Sequence, residues 1–215
     1  MLDIEDSVVT IDAMGCQKEI AKKVVDQKGD YVLQVKKNQE KLHDLMQETF
    51  DELTSSTPSF IPHSYHEETD ADHGRVEVRR VWVTDWTGWY QKRSNWAGLQ
   101  SFICVESERT VNDRTSVDRR YYISSLVGQK PETMLYYVRG HWGIENKLHW
   151  SLDMSFREDA LRARIGHSAE NLSRIRRLTL NLLKQDKSAK ASIDNKRFKA
   201  CMENEYLLKI LRIPV

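Results

Sequence analysis

An α/β fold is predicted for this 215-residue chain by three features. Strand and helix patterns alternate over the first 53 residues, a β-rich stretch follows, and helical periodicity takes over beyond Pro131. Val8-Val9-Thr10-Ile11 is a short β-branched run of the kind a buried strand needs, ending at Asp12. Ile20, Ala21, Val24 and Val25 then recur at helical spacing until Gly29 stops the helix. Tyr31-Val32-Leu33-Gln34-Val35 reads as a second strand. Asn38 is placed to cap a helix whose apolar face is Leu42, Leu45, Met46 and Leu53. This βαβα order implies parallel strands with helices packed on them.

Residues 54–65 form a loop with Pro58 and Pro62, and β patterning runs from about 66 to 126. Val76 and Val78 alternate in one phase and Val81 and Val83 in the other, which predicts a bulge at Arg79-Arg80. Phe102-Ile103-Cys104-Val105 and Tyr121-Tyr122-Ile123 are two further strands, joined through a polar turn at Asn112-Asp113. One helix is expected over 132–152 and another from Ser168, carrying Leu172, Ile175, Leu178, Leu182 and Leu183. A polar linker at 187–190 precedes a last helix after Asp194. Trp82, Trp86, Trp89 and Trp96 fall in the β-rich region, where packing is the expected role.

Composition narrows the function. Charged residues are 30% of the chain and hydrophobic ones 40%, which suits a folded protein. No apolar run reaches the roughly 18 residues of a membrane span, and the start is acidic where a signal peptide is basic. Cys16, Cys104 and Cys201 lack CxxC spacing, so a reducing cytoplasm is the expected location. The net charge is only +1, yet residues 157–199 hold twelve basic and five acidic side chains, a local excess of +7. That third either meets a polyanion or is a solvated helical face.

Two places could carry chemistry. Asp12 stands at the C-terminal end of a buried strand, the edge where ligands gather in open α/β sheets. Its carboxylate could hold a hard cation or accept backbone amides of the following turn. The second place is Arg139-Gly140-His141-Trp142-Gly143-Ile144-Glu145-Asn146-Lys147-Leu148-His149-Trp150. On one helix His141, Glu145 and His149 would form a polar stripe, but consecutive turns of a straight helix surround an ion poorly. Glu145 therefore reads as a single oxygen ligand, or as a solvated carboxylate near Arg139 or Lys147.

These residues carry a resemblance. Val9-Thr10-Ile11-Asp12-Ala13-Met14-Gly15-Cys16-Gln17 and the segment from Arg139 through Glu158-Asp159 resemble the DDE transposases of bacterial insertion sequences, closest to the H-repeat-associated branch found near Rhs elements. His73-Gly74-Arg75-Val76-Glu77 and Gly166-His167-Ser168-Ala169-Glu170-Asn171-Leu172 resemble it too, so the likeness runs from about 8 to 184. It implies an RNase H-like fold in which three acidic side chains hold two Mg²⁺ (or Mn²⁺) ions for phosphodiester hydrolysis and DNA strand transfer. By motif position Asp12 matches the second aspartate and Glu145 the glutamate, both as metal ligands. Insertion-sequence ends and target DNA are the implied partners, with self-association an expectation of the resemblance alone.

The resemblance also shows departures. The family's first aspartate lies on an earlier strand, and only seven residues precede Val8. The expectation is a truncated chain, inactive by itself, with the Val8–Ile11 strand left as a sheet edge. His141 stands where relatives carry Arg, Val138 where they carry Tyr, and Leu152 where they carry Lys. Arg139, His141, Lys147, Arg157, Arg162 and Arg164 are the expected DNA contacts, and the alternative function is a non-catalytic DNA-binding remnant or regulator using the basic C-terminal third. The expected layout is a partial RNase H-like core (1–53), a β-rich insertion (54–127), the glutamate helix with basic helices (128–185) and a helical tail (186–215).

Overall fold

The computed structural model describes residues 3–55, 59–72, 75–88, 90–144 and 148–211. Met1–His141 form one compact unit and Trp142–Val215 a second.

The first unit is built on a mixed six-stranded sheet, consistent with the α/β class. Its strands are β1 (Val8–Ile11), β2 (Asp30–Val35), β3 (Ser64–Asp72), β4 (Arg75–Thr84), β5 (Ser101–Val111) and β6 (Arg114–Ser124). Their spatial order is β1-β2-β6-β5-β4-β3. β1 and β2 are parallel, with Ile11 opposite Leu33, and every other pairing is antiparallel. Among the described residues β1 is therefore an edge strand.

Helix α1 (Lys18–Asp26) makes the crossover between the parallel strands, and α2 (Glu40–Thr54) follows β2. Their apolar faces meet one side of the sheet, where Ala21, Val24, Leu42, Met46 and Phe50 pack with Tyr31, Leu33, Phe102 and Ile123. Helix α3 (Pro131–Ile144) covers the other side, placing Met134, Leu135 and Val138 against Val32, Val81, Ile103 and Tyr122. Burial on both faces explains why β2 reads as an apolar run broken only by the buried Gln34 between Tyr31 and Val35. The β5–β6 hairpin turns at Asn112 and Asp113, both left-handed at φ 48° and 60°, as a tight hairpin turn demands.

Two local expectations are corrected. No bulge interrupts Arg79-Arg80, because β4 pairs residue for residue with both β3 and β5. The phase change has another cause. Val81, Trp82, Val83 and Thr84 are all buried because that end of β4 is covered on both faces. Farther along, Arg79 meets Glu68 and Glu77 on one face, while Arg80 meets Glu67, Glu106 and Glu108 on the other. Second, Asn38 does not cap α2. Gln39 holds the N-cap position and makes no side-chain cap bond. Of the helix expected over 132–152, the described residues are helical throughout: α3 runs to Ile144, 148–149 form a π turn and α4 (Trp150–Phe156) follows.

The second unit contains α4, α5 (Ser168–Gln185), α6 (Ile193–Met202) and α7 (Asn204–Ile210). Leu183, Tyr206 and Ile210 form its small core, with Phe156, Leu182 and Ile193 packed against it. The expected apolar face of α5 is only partly used. Leu180 and Leu183 are buried, whereas Leu172, Ile175 and Leu178 are exposed. Lys196 is buried with them, and its ammonium donates to the Leu183 and Asp186 carbonyls at 3.0 and 2.7 Å, capping the end of α5. Of the tryptophans, Trp82 and Trp96 are buried as expected, Trp86 is exposed, and Trp89 lies outside the described residues. No described helix is long and apolar enough to cross a membrane.

Candidate functional site

The chain turns as soon as β1 ends. Asp12 is the N-cap of a short 3-10 turn, Ala13–Gly15, and its Oδ1 accepts the Gly15 N–H at 3.3 Å. The backbone-amide role open to this carboxylate in the sequence is thus realised. The side chain is exposed, and its Oδ2 accepts no hydrogen bond among the described residues. One hard oxygen therefore stays available to a cation.

Three carboxamides serve the carbonyls of this turn. Asn38 Nδ2 donates to the Ala13 carbonyl at 2.6 Å, Gln17 Nε2 to Met14 at 2.9 Å and Gln39 Nε2 to Cys16 at 3.1 Å. Cys16 itself is fully buried, and burial pushes its thiol up to about 12. It is a protonated packing residue at neutral pH rather than a nucleophile.

A magnesium-type ion takes about six oxygen ligands, several of them from carboxylates or water. Asp12 fits as one such ligand. Among the described residues no group of three or more His, Cys, Asp or Glu stands together, so they do not supply a complete protein set. Glu145 and Lys147 lie outside the described residues, as does His73-Gly74 of the sequence motif.

The expected DNA contacts fall on several elements of the two units. Arg139, on α3, donates from Nη1 to Glu68 Oε1 on β3 at 2.8 Å. Because β1 and β3 are opposite edges of the sheet, five strand spacings, about 24 Å, separate that pair from the Asp12 strand. His141 is half-buried in the last turn of α3, and His149 is exposed just before α4. In the second unit, Arg157 ends α4 in a left-handed conformation at φ 51°. Arg164 bonds the Leu161 and Ala163 carbonyls, both at 3.0 Å, and Arg162 is exposed. Val138 and Leu152, which hold the Tyr and Lys places of relatives, are both buried, so hydrophobic packing occupies those positions.

Compared with known proteins, residues 1–182 match the family described as transposase DDE domain. The chain belongs to that family. "H repeat-associated putative transposase YhhI" of Escherichia coli strain K12 is 37% identical over 218 residues, covering 98% of this chain and 56% of that protein. "Putative transposase YncI" of Escherichia coli O157:H7 is 39% identical over 215 residues, covering 98% of this chain and 54% of the relative. "Putative protein YbfL" of Escherichia coli strain K12 is 38% identical, with 98% and 56% covered. The DDE transposase and H-repeat resemblance carried by the sequence motifs is thereby confirmed. The chain spans about half the length of these curated relatives.

Sequence reasoning missed Asn38 and Gln39 as partners of the Asp12 turn. Asn38 offered a signal, but it read as a helix cap, and only the parallel pairing of β1 with β2 redirects it.

Proposed function

We propose that this chain acts on DNA as a part of a transposase of the DDE type, with an RNase H-like core in which Asp12 and Glu145 serve as two of the metal-ligating carboxylates. The observation that carries this reading is the family match over residues 1–182, joined to an exposed carboxylate at the C-terminal end of β1. A bound Mg²⁺ or Mn²⁺ supplies polarisation of the attacking oxygen and charge for the leaving oxygen in displacement at phosphorus. Asp12 contributes an oxygen whose direction is set by the Gly15 N–H. Arg157, Arg162 and Arg164, all exposed, supply positive charge for the phosphate backbone. Two carboxylates carry too little charge for two divalent ions, so cleavage by these 215 residues assayed by themselves is lost or very weak.

The test combines DNA binding with Mn²⁺ uptake, using the full chain and the variants Asp12→Ala and Glu145→Ala. Binding that weakens steeply with salt, together with Mn²⁺ uptake that each variant abolishes, is the expected result. Salt-sensitive binding with no Mn²⁺ uptake by the unaltered chain would instead mark a non-catalytic DNA-binding protein. Absence of DNA binding at low salt overturns both readings.

A further inference from the structure

We infer that Asn38 and Gln39 are positioning residues for Asp12, fixing the turn that carries its carboxylate. The topology explains how they reach it. In the parallel pair β1–β2 both C-terminal ends lie on one edge of the sheet, so the 3-10 turn Lys37–Gln39 after β2 stands beside the turn Ala13–Gly15 after β1. Asn38 and Gln39 bridge from one to the other, onto the carbonyls of Ala13 and Cys16. Ala13 and Cys16 are buried: the Ala13 carbonyl accepts both the Cys16 N–H, at 3.2 Å, and Asn38, and the Cys16 carbonyl takes Gln39 as its partner. The two bonds grip the turn at both ends, and between them the Gly15 N–H holds Asp12 Oδ1.

A local cost marks the arrangement. Asn is among the best helix caps, and Gln39 holds the cap position of α2, yet neither side chain caps that helix. Both are turned toward the Asp12 turn. Sequences that forgo a local preference in this way do so chiefly at functional sites. The functional weight of this clamp rests on the reading of Asp12 as a metal ligand.

The experiment uses the full chain labelled with ¹⁵N and the double variant Asn38→Leu, Gln39→Met, which keeps side-chain bulk and removes both donors. Amide exchange of Gly15 and Cys16 is expected to rise about tenfold, as loss of a hydrogen bond allows. Amides of β1 and β2 stay near their original values, and the thermal midpoint falls by only the few degrees that two lost hydrogen bonds allow. Mn²⁺ titration, read by broadening of the 12–16 amide signals, is expected to need several-fold more metal in the variant. Unchanged exchange at Gly15 and Cys16 overturns the clamp. Raised exchange throughout β1 and β2 with a matching fall in thermal midpoint also overturns it, since that is plain structural support. If the unaltered chain shows no Mn²⁺ broadening at 12–16 while the variant shows the local rise in exchange, the metal reading of Asp12 fails and the clamp stands.

Discussion

Ile11 fills the space where Gly15 would carry a side chain: a Cβ on Gly15 would stand 2.2 Å from Ile11 Cγ2. The turn after β1 is thereby folded back onto the strand that precedes it, and the Gly15 N–H is brought to the Asp12 carboxylate. Gly15→Ala is expected to cost about 1–3 kcal/mol, as overpacking does, and to shift the amide signals of 12–16. Gly140 is the control, because nothing lies within 4 Å of a Cβ placed on it in α3. Gly140→Ala should be neutral or stabilising by up to about 1 kcal/mol, through helix propensity. Urea midpoints for the two variants check both statements.

The second unit carries a pH-sensitive pair. The Ser188 hydroxyl, the Ser188 and Ala189 amides and the Tyr206 hydroxyl hold the Asp186 carboxyl well below the usual carboxylate range. Burial, and then the bond to Asp186, pushes the Tyr206 phenol up to about 12. A lowered carboxyl stabilises the fold above its unfolded value, about 3.9, and that contribution is lost as the pH falls below it. A raised phenol stabilises the fold below about 10 and loses its contribution as the pH climbs toward 12. Tyr206→Phe is expected to lower stability at pH 7 by about 1 kcal/mol. It should also flatten the alkaline fall, measured as urea midpoint against pH by far-ultraviolet circular dichroism.

Thiol chemistry distinguishes the three cysteines. Cys16 and Cys104 are fully buried, and burial pushes each thiol up to about 12, whereas Cys201 is exposed. Ellman's reagent at pH 8 should titrate one thiol in the folded chain and three after denaturation. Rapid reaction of a second thiol without denaturant would show that the Cys16 turn or the β5 core opens readily.

Much of the fold was legible because it depends on local pattern. The β-branched run before Asp12, the apolar run of β2, the hairpin turn at Asn112-Asp113 and the start of α5 at Ser168 each follow from their own residues. The Asp12 position was legible for the same reason, as a carboxylate directly after a β-branched run, although that strand was expected to be buried and β1 is half-buried at the edge of the sheet. The phase change in β4 was legible too, but its cause was not. A bulge and a change from apolar cover to ion pairs on both faces leave the same trace in sequence, and only the pairing with β3 and β5 separates them.

What only the tertiary structure decided is where long polar side chains find partners. Asn38 lies 25 residues from Ala13 along the chain, and its choice between capping α2 and holding the Asp12 turn depends on β1 and β2 ending side by side. Arg139 is likewise beside Glu68, 71 residues away, because α3 crosses the sheet near β3. Lys196, though charged, is buried because the carbonyls of Leu183, in the last turn of α5, and of Asp186, just after it, stand ready to receive it. By itself the sequence determined which segments become strands and helices and which carboxylate follows β1, since those depend on periodicity and neighbouring residues. Partners of polar groups depend on which distant segments pack together, and a hydrogen bond across tens of residues leaves no periodic trace in the chain.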